Sequence, residues 1–162
     1  MRLWIAVHLP RLPLEAFFPK HAPDPGCAVL GNERVMAVST SAWQAGIRNG
    51  MRRGGVLTLA PDTAVLDRDV AREQECVYAA AMALLQYTPQ VAPSDELTLL
   101  MDVGASLTLF NGAHALCGRI RADIRALGFT ASLGWAPTAR GAWLPAKHGR
   151  GYGRTLQMRI LQ

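Results

Sequence analysis

Leu97-Thr98-Leu99-Leu100-Met101-Asp102-Val103 is apolar at every position except Thr98 and Asp102. A run of that length and character suits a strand buried on both faces, and helical patterns flank it on either side. Upstream, Asp69 is placed to cap a helix reaching Thr88, along which Val77, Ala80, Ala81, Leu84 and Leu85 recur at helical spacing as a core stripe until Pro89 stops it. Downstream, a second helix is predicted from about Gly112 to Leu127, with Gly128 as its stop. Thr130 to Ala136 follows as another short strand, and Pro137 opens a helical stretch through Trp143.

Towards the N-terminus, Leu3 to Leu9 reads as a buried strand closed by Pro10 and Pro13, with room for a short helix through Leu14, Glu15, Ala16 and Phe17. A proline-rich loop from Pro19 to Gly26 leads to a predicted hairpin, Cys27 to Leu30 and Val35 to Val38, about Gly31-Asn32. Between Ser39 and Ala60 the chain carries Gly46, Gly50, Gly54 and Gly55, the arginines Arg48, Arg52 and Arg53, and no acidic residue, which predicts a flexible, positively charged subregion. The order is strand, insertion, helix, strand, helix, strand. The Gly/Arg-rich tail from Lys147 to Arg159 predicts incomplete folding.

The 162 residues, 50% of them hydrophobic, suffice for one domain with a real core, or one domain plus a small insertion. Seventeen Lys and Arg against 12 Asp and Glu give a formal charge of +5, which favours a polyanionic partner. Cys27, Cys76 and Cys117 are far apart and form no metal-binding spacing, so neither a disulfide framework nor a zinc site is expected, and a reducing cytoplasm fits. The apolar run at the N-terminus is too short to span a bilayer, so no membrane partner is expected.

Four segments carry a family resemblance: Ala28-Val29-Leu30-Gly31 with Val38-Ser39-Thr40, Gly46-Ile47-Arg48-Asn49-Gly50-Met51, Met101-Asp102-Val103, and Leu133-Gly134-Trp135-Ala136-Pro137-Thr138. In this order and spacing the chain resembles the palm and fingers of Y-family translesion polymerases. Ala6-Val7-His8-Leu9-Pro10-Arg11-Leu12-Pro13 and Ala136-Pro137-Thr138-Ala139 are similar to the ImuB-type proteins of bacterial mutasomes. The resemblance implies an α/β (α+β) fold: a ferredoxin-like polymerase palm, about residues 1–10 and 64–148, with a small fingers insertion, about 11–63, and a basic tail, 149–162. The sheet would comprise residues 2–8, 96–103 and 130–136, backed by the two long helices.

In active relatives, carboxylates hold two magnesium ions, which demand hard oxygen ligands. The resemblance places those positions at His8, Leu97 and Thr98, none of which supplies a carboxylate. The family's two helix lysines correspond to Ala139 and Trp143, and the fingers element is shorter than usual. These departures imply a protein without catalytic residues or cofactor that supports DNA repair by error-prone translesion synthesis in the DNA-damage (SOS) response. It would bind damaged DNA or assemble a mutasome with a sliding clamp, an error-prone replicative-type polymerase and a recombinase-like protein. Those contacts would run through thumb, little-finger and C-terminal segments expected to lie outside this chain. In an alternative register, Ser94-Asp95-Glu96 restores the acidic pair, and Asp95, Glu96 and Asp102 become magnesium ligands of an active polymerase. An inert truncated fragment is the third alternative.

His8 otherwise reads as a hydrogen-bonded group at a strand end, and Asp102 as a turn cap. Arg48, Arg52 and Arg53 are candidate phosphate contacts or a solvated basic loop, and Arg140, Lys147 and Arg150, with His148, Arg154 and Arg159, form a second basic cluster interleaved with Tyr152. Trp43 and Trp135 could stack on bases, but tryptophans set in apolar stretches read first as core residues. Gln157-Met158-Arg159-Ile160-Leu161 faintly matches a clamp-binding peptide.

Overall fold

The apolar run around Leu100 becomes a strand at Thr98–Asp102, one residue shorter at each end than the run itself. The computed structural model describes residues 2–20 and 22–149. In chain order its elements are β1 (Trp4–His8), α1 (Leu12–Glu15), β2 (Cys27–Gly31), β3 (Arg34–Val38), α2 (Thr40–Gln44), α3 (Arg53–Leu59), β4 (Ala64–Asp67), α4 (Val70–Leu84), β5 (Val91–Ser94), β6 (Thr98–Asp102), α5 (Ala113–Ala126), β7 (Ser132–Ala136) and α6 (Ala139–His148). They fall into two units, one combining the chain up to Pro10 with the chain from Glu75 onward, the other running from Arg11 to Gln74.

The first unit is built on an antiparallel sheet of order β5-β6-β1-β7. Central β1 sets the register: His8 lies opposite Thr98 and Ser132, Ala6 opposite Leu100 and Gly134, Trp4 opposite Asp102 and Ala136. Because side chains alternate along a strand, these residues share one face. Helix α6 covers it through very small side chains, Ala142 and Ala146 packing with Ala6 and Ala136. The approach is so close that a Cβ on Gly134 would lie 2.4 Å from the Ala142 carbonyl oxygen. On the opposite face Ile5, Val7, Leu99 and Met101 are fully buried, as is the Leu116, Ile120, Ile124 stripe of α5. The expected sheet thus gains an edge strand and a third helix. β5 contains Pro93, which lacks a backbone donor and is tolerated because this strand lies at the sheet edge.

Helix α4 begins as expected, the Asp69 carboxylate accepting from the Arg72 backbone N–H at 3.0 Å. It ends at Leu84, ahead of the expected Thr88. Leu85 is 42% exposed and leaves the predicted core stripe; the buried residues that follow are Tyr87 and Thr88, the latter donating its hydroxyl to the Asp102 carbonyl at 2.7 Å.

In the second unit the hairpin turns through Asn32 and Glu33, both at positive φ (52° and 61°), the requirement of a two-residue turn matched to strand twist. β4 joins in parallel on the other side of β2, giving the order β3-β2-β4, so this unit continues to Gln74, past the boundary expected near residue 63. The segment expected to be flexible instead holds two helices. Ser39 caps α2 by accepting from the Ala42 N–H at 3.3 Å, and α3 survives its adjacent glycines because Val56 is fully buried with Ala28, Leu30, Val35, Ala42 and Ile47. Glu73, 1% exposed, is held by a two-pronged ion pair with Arg68 (2.7 and 2.9 Å).

Candidate palm site and nucleic-acid interface

At one end of the first unit's sheet, the β1–β6 register brings together two of the positions where the family resemblance implies metal ligands. His8 Nδ1 lies 3.0 Å from Thr98 Oγ1, and that hydroxyl also donates to the Glu96 carbonyl at 3.2 Å. The third position, Leu97, sits just outside the strand in the turn between β5 and β6, where Glu96 and Leu97 both adopt left-handed backbone (φ 56° and 55°). Its carbonyl accepts the Leu9 N–H at 3.0 Å, tying the turn to the end of β1. From the C-terminal turn of α6, Lys147 forms an ion pair with the Glu96 carboxylate.

Burial lowers the His8 pKa from its ordinary value, and the Lys147 and His148 charges lower it further, against a backbone hydrogen bond at Leu97 that raises it. The unfolded chain therefore takes up a proton that the folded chain resists. Stability supplied by neutral His8 is present above the ordinary imidazole value of 6.5 and is lost as pH falls below it. Denaturant titrations between roughly pH 8 and pH 5 are expected to show that decline, and His8→Gln to flatten it.

This donor set does not fit a pair of magnesium ions. An imidazole is a borderline ligand, the Thr98 hydroxyl is already bonded, Leu97 has no donor, and the Glu96 carboxylate is engaged by a cation. Nor do Asp95, Glu96 and Asp102 converge. Asp102 lies opposite Trp4 at the far end of β6, on the order of 13 Å along the strand from Thr98. Its carboxylate accepts the Gly104 N–H at 3.2 Å, which is the turn-capping role. Among the described residues no group of three or more His, Cys, Asp or Glu is arranged to hold a metal ion.

The basic candidates separate into distinct settings. Arg53 is neutralised, bridging Glu33 at 3.0 Å and Asp67 at 2.5 Å, so it is not a free cation. Arg48 and Arg52 are exposed near the Gly50 turn, where Arg34, a residue the sequence reading passed over, joins them by donating to the Gly50 carbonyl at 2.9 Å. Its signal was available: Arg34 opens β3, whose next residue, Val35, is the buried one. Arg140 is exposed near the start of α6 and Lys147 lies near its end, about 10 Å away along the axis. Arg150 and the 157–161 segment lie outside the described residues. Trp135 is half-buried, but Trp43 is 52% exposed and leaves the core role expected for it.

The four-stranded sheet with its covering helices is the palm fold of Y-family DNA polymerases. A Y-family DNA polymerase chimera, Dbh-Dpo4(243-245)-Dbh, is similar at a TM-score of 0.70, with 16% identity over 93% of this chain and 47% of that one. The crystal structure of DinB from Sulfolobus solfataricus matches at 0.67, with 17% identity over 93% of this chain and 47% of that one. An insertion ternary complex of Dbh DNA polymerase matches at 0.70, with 16% identity over the same shares. The chain thus spans about half the length of these solved structures. No curated protein matches it significantly. The sequence pattern of the impB/mucB/samB family matches residues 21–147, and the chain belongs to that family. Among the described residues no helix is long and apolar enough to cross a membrane.

Proposed function

We propose that this chain is a non-catalytic, polymerase-like protein of the ImuB type that supports DNA repair by error-prone translesion synthesis, holding damaged DNA or helping to assemble a mutasome in the cytoplasm. One observation carries the reading. At the sheet end where an active relative would gather carboxylates around magnesium, this chain places a hydrogen-bonded His8–Thr98 pair and a Lys147–Glu96 ion pair. Two divalent cations brought there would meet an ammonium group and too few anions, so their mutual repulsion would go uncompensated. Catalysis would then fall to a separate error-prone polymerase, with a sliding clamp and a recombinase-like protein as further partners reached through the remaining length of the full-size relatives. Arg48, Arg52 and Arg140, which form no ion pair among the described residues, are the proposed contacts to DNA phosphates, palm and fingers the proposed roles of the two units.

Primer extension tests this reading. With a primed template, all four deoxynucleotides and either magnesium or manganese, the chain is expected to extend no primer. Changing Asp95 and Glu96 together to Ala is expected to leave that result unchanged. Template-directed incorporation that disappears in the double variant would establish an active polymerase and overturn the proposal.

A further inference from the structure

Ala42 and Trp43 are neighbours on α2 with opposite fates: Ala42 is 2% exposed in the core, while Trp43 is 52% exposed. An indole so open to water is uncommon, and here it is also held in place. The Arg48 guanidinium lies 4.1 Å from the ring centroid, within cation–π range. Its Nη1 donates to the carbonyls of Trp43 (2.6 Å) and Ile47 (2.9 Å). Carbonyl partners orient a guanidinium without cancelling its charge.

Two more cations gather at the adjoining turn. Arg34 donates to the Gly50 carbonyl, forms an isolated antiparallel bridge with Arg52, and precedes Val35, whose carbonyl accepts the Gly50 N–H at 2.8 Å. Arg34, Arg48 and Arg52 are all exposed, and among the described residues none forms an ion pair with a carboxylate, in contrast to Arg53.

From these placements we propose that Trp43 is a stacking platform for an unpaired nucleobase, with Arg34, Arg48 and Arg52 receiving the neighbouring phosphates. The second unit is then a single-strand-preferring DNA site. A fixed aromatic surface beside uncompensated cations is the combination that holds single strands: base faces stack on the ring while the cations release counterions from the backbone. In a duplex the base faces are already stacked on one another, so duplex DNA gains from the arginines alone. This inference rests on the DNA-binding part of the proposed function and gives it a strand preference.

The experiment measures fluorescence anisotropy of a labelled oligo-dT of about 12 nucleotides and of a duplex of similar length, over a series of salt concentrations, with Trp43→Ala, Trp43→Phe and Arg48→Ala. Trp43→Ala is expected to weaken oligo-dT binding at least about fivefold, to leave duplex binding nearly unchanged, and to leave the salt slope unchanged. Trp43→Phe is expected to retain most of the affinity yet lose the quenching of indole emission that oligo-dT produces in the parent. Arg48→Ala is expected to reduce the salt slope by about one. Undiminished oligo-dT binding by Trp43→Ala, alongside salt-sensitive binding by the parent, would overturn the stacking site and leave the DNA-binding reading standing. A parent that binds neither DNA would overturn both. Self-association of the parent that Trp43→Ala abolishes, with oligo-dT affinity untouched, would assign the indole to a protein contact and overturn the inference.

Discussion

Replacing Arg68 with Met is expected to destabilise the protein by about 3–5 kcal/mol, the largest loss foreseen for a single charge removal in this chain. Glu73 is 1% exposed and Arg68 meets both of its carboxylate oxygens, at 2.7 and 2.9 Å. Without the guanidinium, a carboxylate is left in a dry site with no cation, and desolvation that the pair had offset appears in full. Arg68→Met with Glu73→Met removes both charges at similar volume and is expected to recover most of the loss. Urea midpoints of the parent, both single variants and the double variant complete the cycle. A loss under about 1 kcal/mol for Arg68→Met would mean that Glu73 finds water or another partner, contrary to its burial. The Arg53 bridges to Glu33 and Asp67 make the contrast: both carboxylates are open to solvent, at 70% and 76% exposure, and their removal is expected to move the midpoint little.

Gly134→Ala is the second large effect, expected to cost roughly 3 kcal/mol and to lower the melting temperature by about 10 °C. The added methyl would meet the Ala142 carbonyl oxygen at 2.4 Å, the Ala146 nitrogen at 2.7 Å and Pro145 Cγ at 2.7 Å. Two of these are backbone atoms, so no rotamer change relieves the clash, and α6 must lift from β7. Ala6, Ala136, Ala142 and Ala146 form the rest of that contact, and moving the helix opens voids between them. Thermal melts followed by circular dichroism measure the effect. A melting temperature within a degree or two of the parent would show that the helix does not lie as close to the strand as described.

The elements that the sequence announced were those whose burial follows a period. β1 and β6 are apolar runs, β2 and β3 flank a turn, and α4 and α5 carry a cap or an apolar stripe. Where local chemistry and tertiary packing disagree, the element that forms differs from the one its own residues favour. Gly54 and Gly55 argue against a helix, yet burial of Val56 and the packing around it sustain α3. β4 and β5 have four residues each, too few for alternation to register, and β5 contains a proline. α6 runs through Pro145, which is buried against Gly134, so it extends past the expected end at Trp143. At the palm site the sequence named His8 and Thr98, but their 3.0 Å contact is a matter of strand register. The Lys147–Glu96 pair depends on α6 returning over the sheet, which no local pattern encodes. Trp43 shows the limit most clearly, since its apolar neighbours imply burial and only the orientation of a short helix turns it outward.

The position of β1 has a consequence for how the chain is made. Trp4–His8 is one of the two inner strands of its sheet, but both of its neighbours are synthesised long afterwards, Trp4 pairing with Asp102 and Ala136. The Arg11–Gln74 unit is continuous in sequence and emerges from the ribosome whole while β1 is still without partners. Its collapse shortens the span that β1 must close and converts a slow long-range search into a shorter one. Until β6 arrives, an apolar strand with two open edges stands exposed to the translation machinery, and chaperone engagement during synthesis is expected to concentrate in that interval.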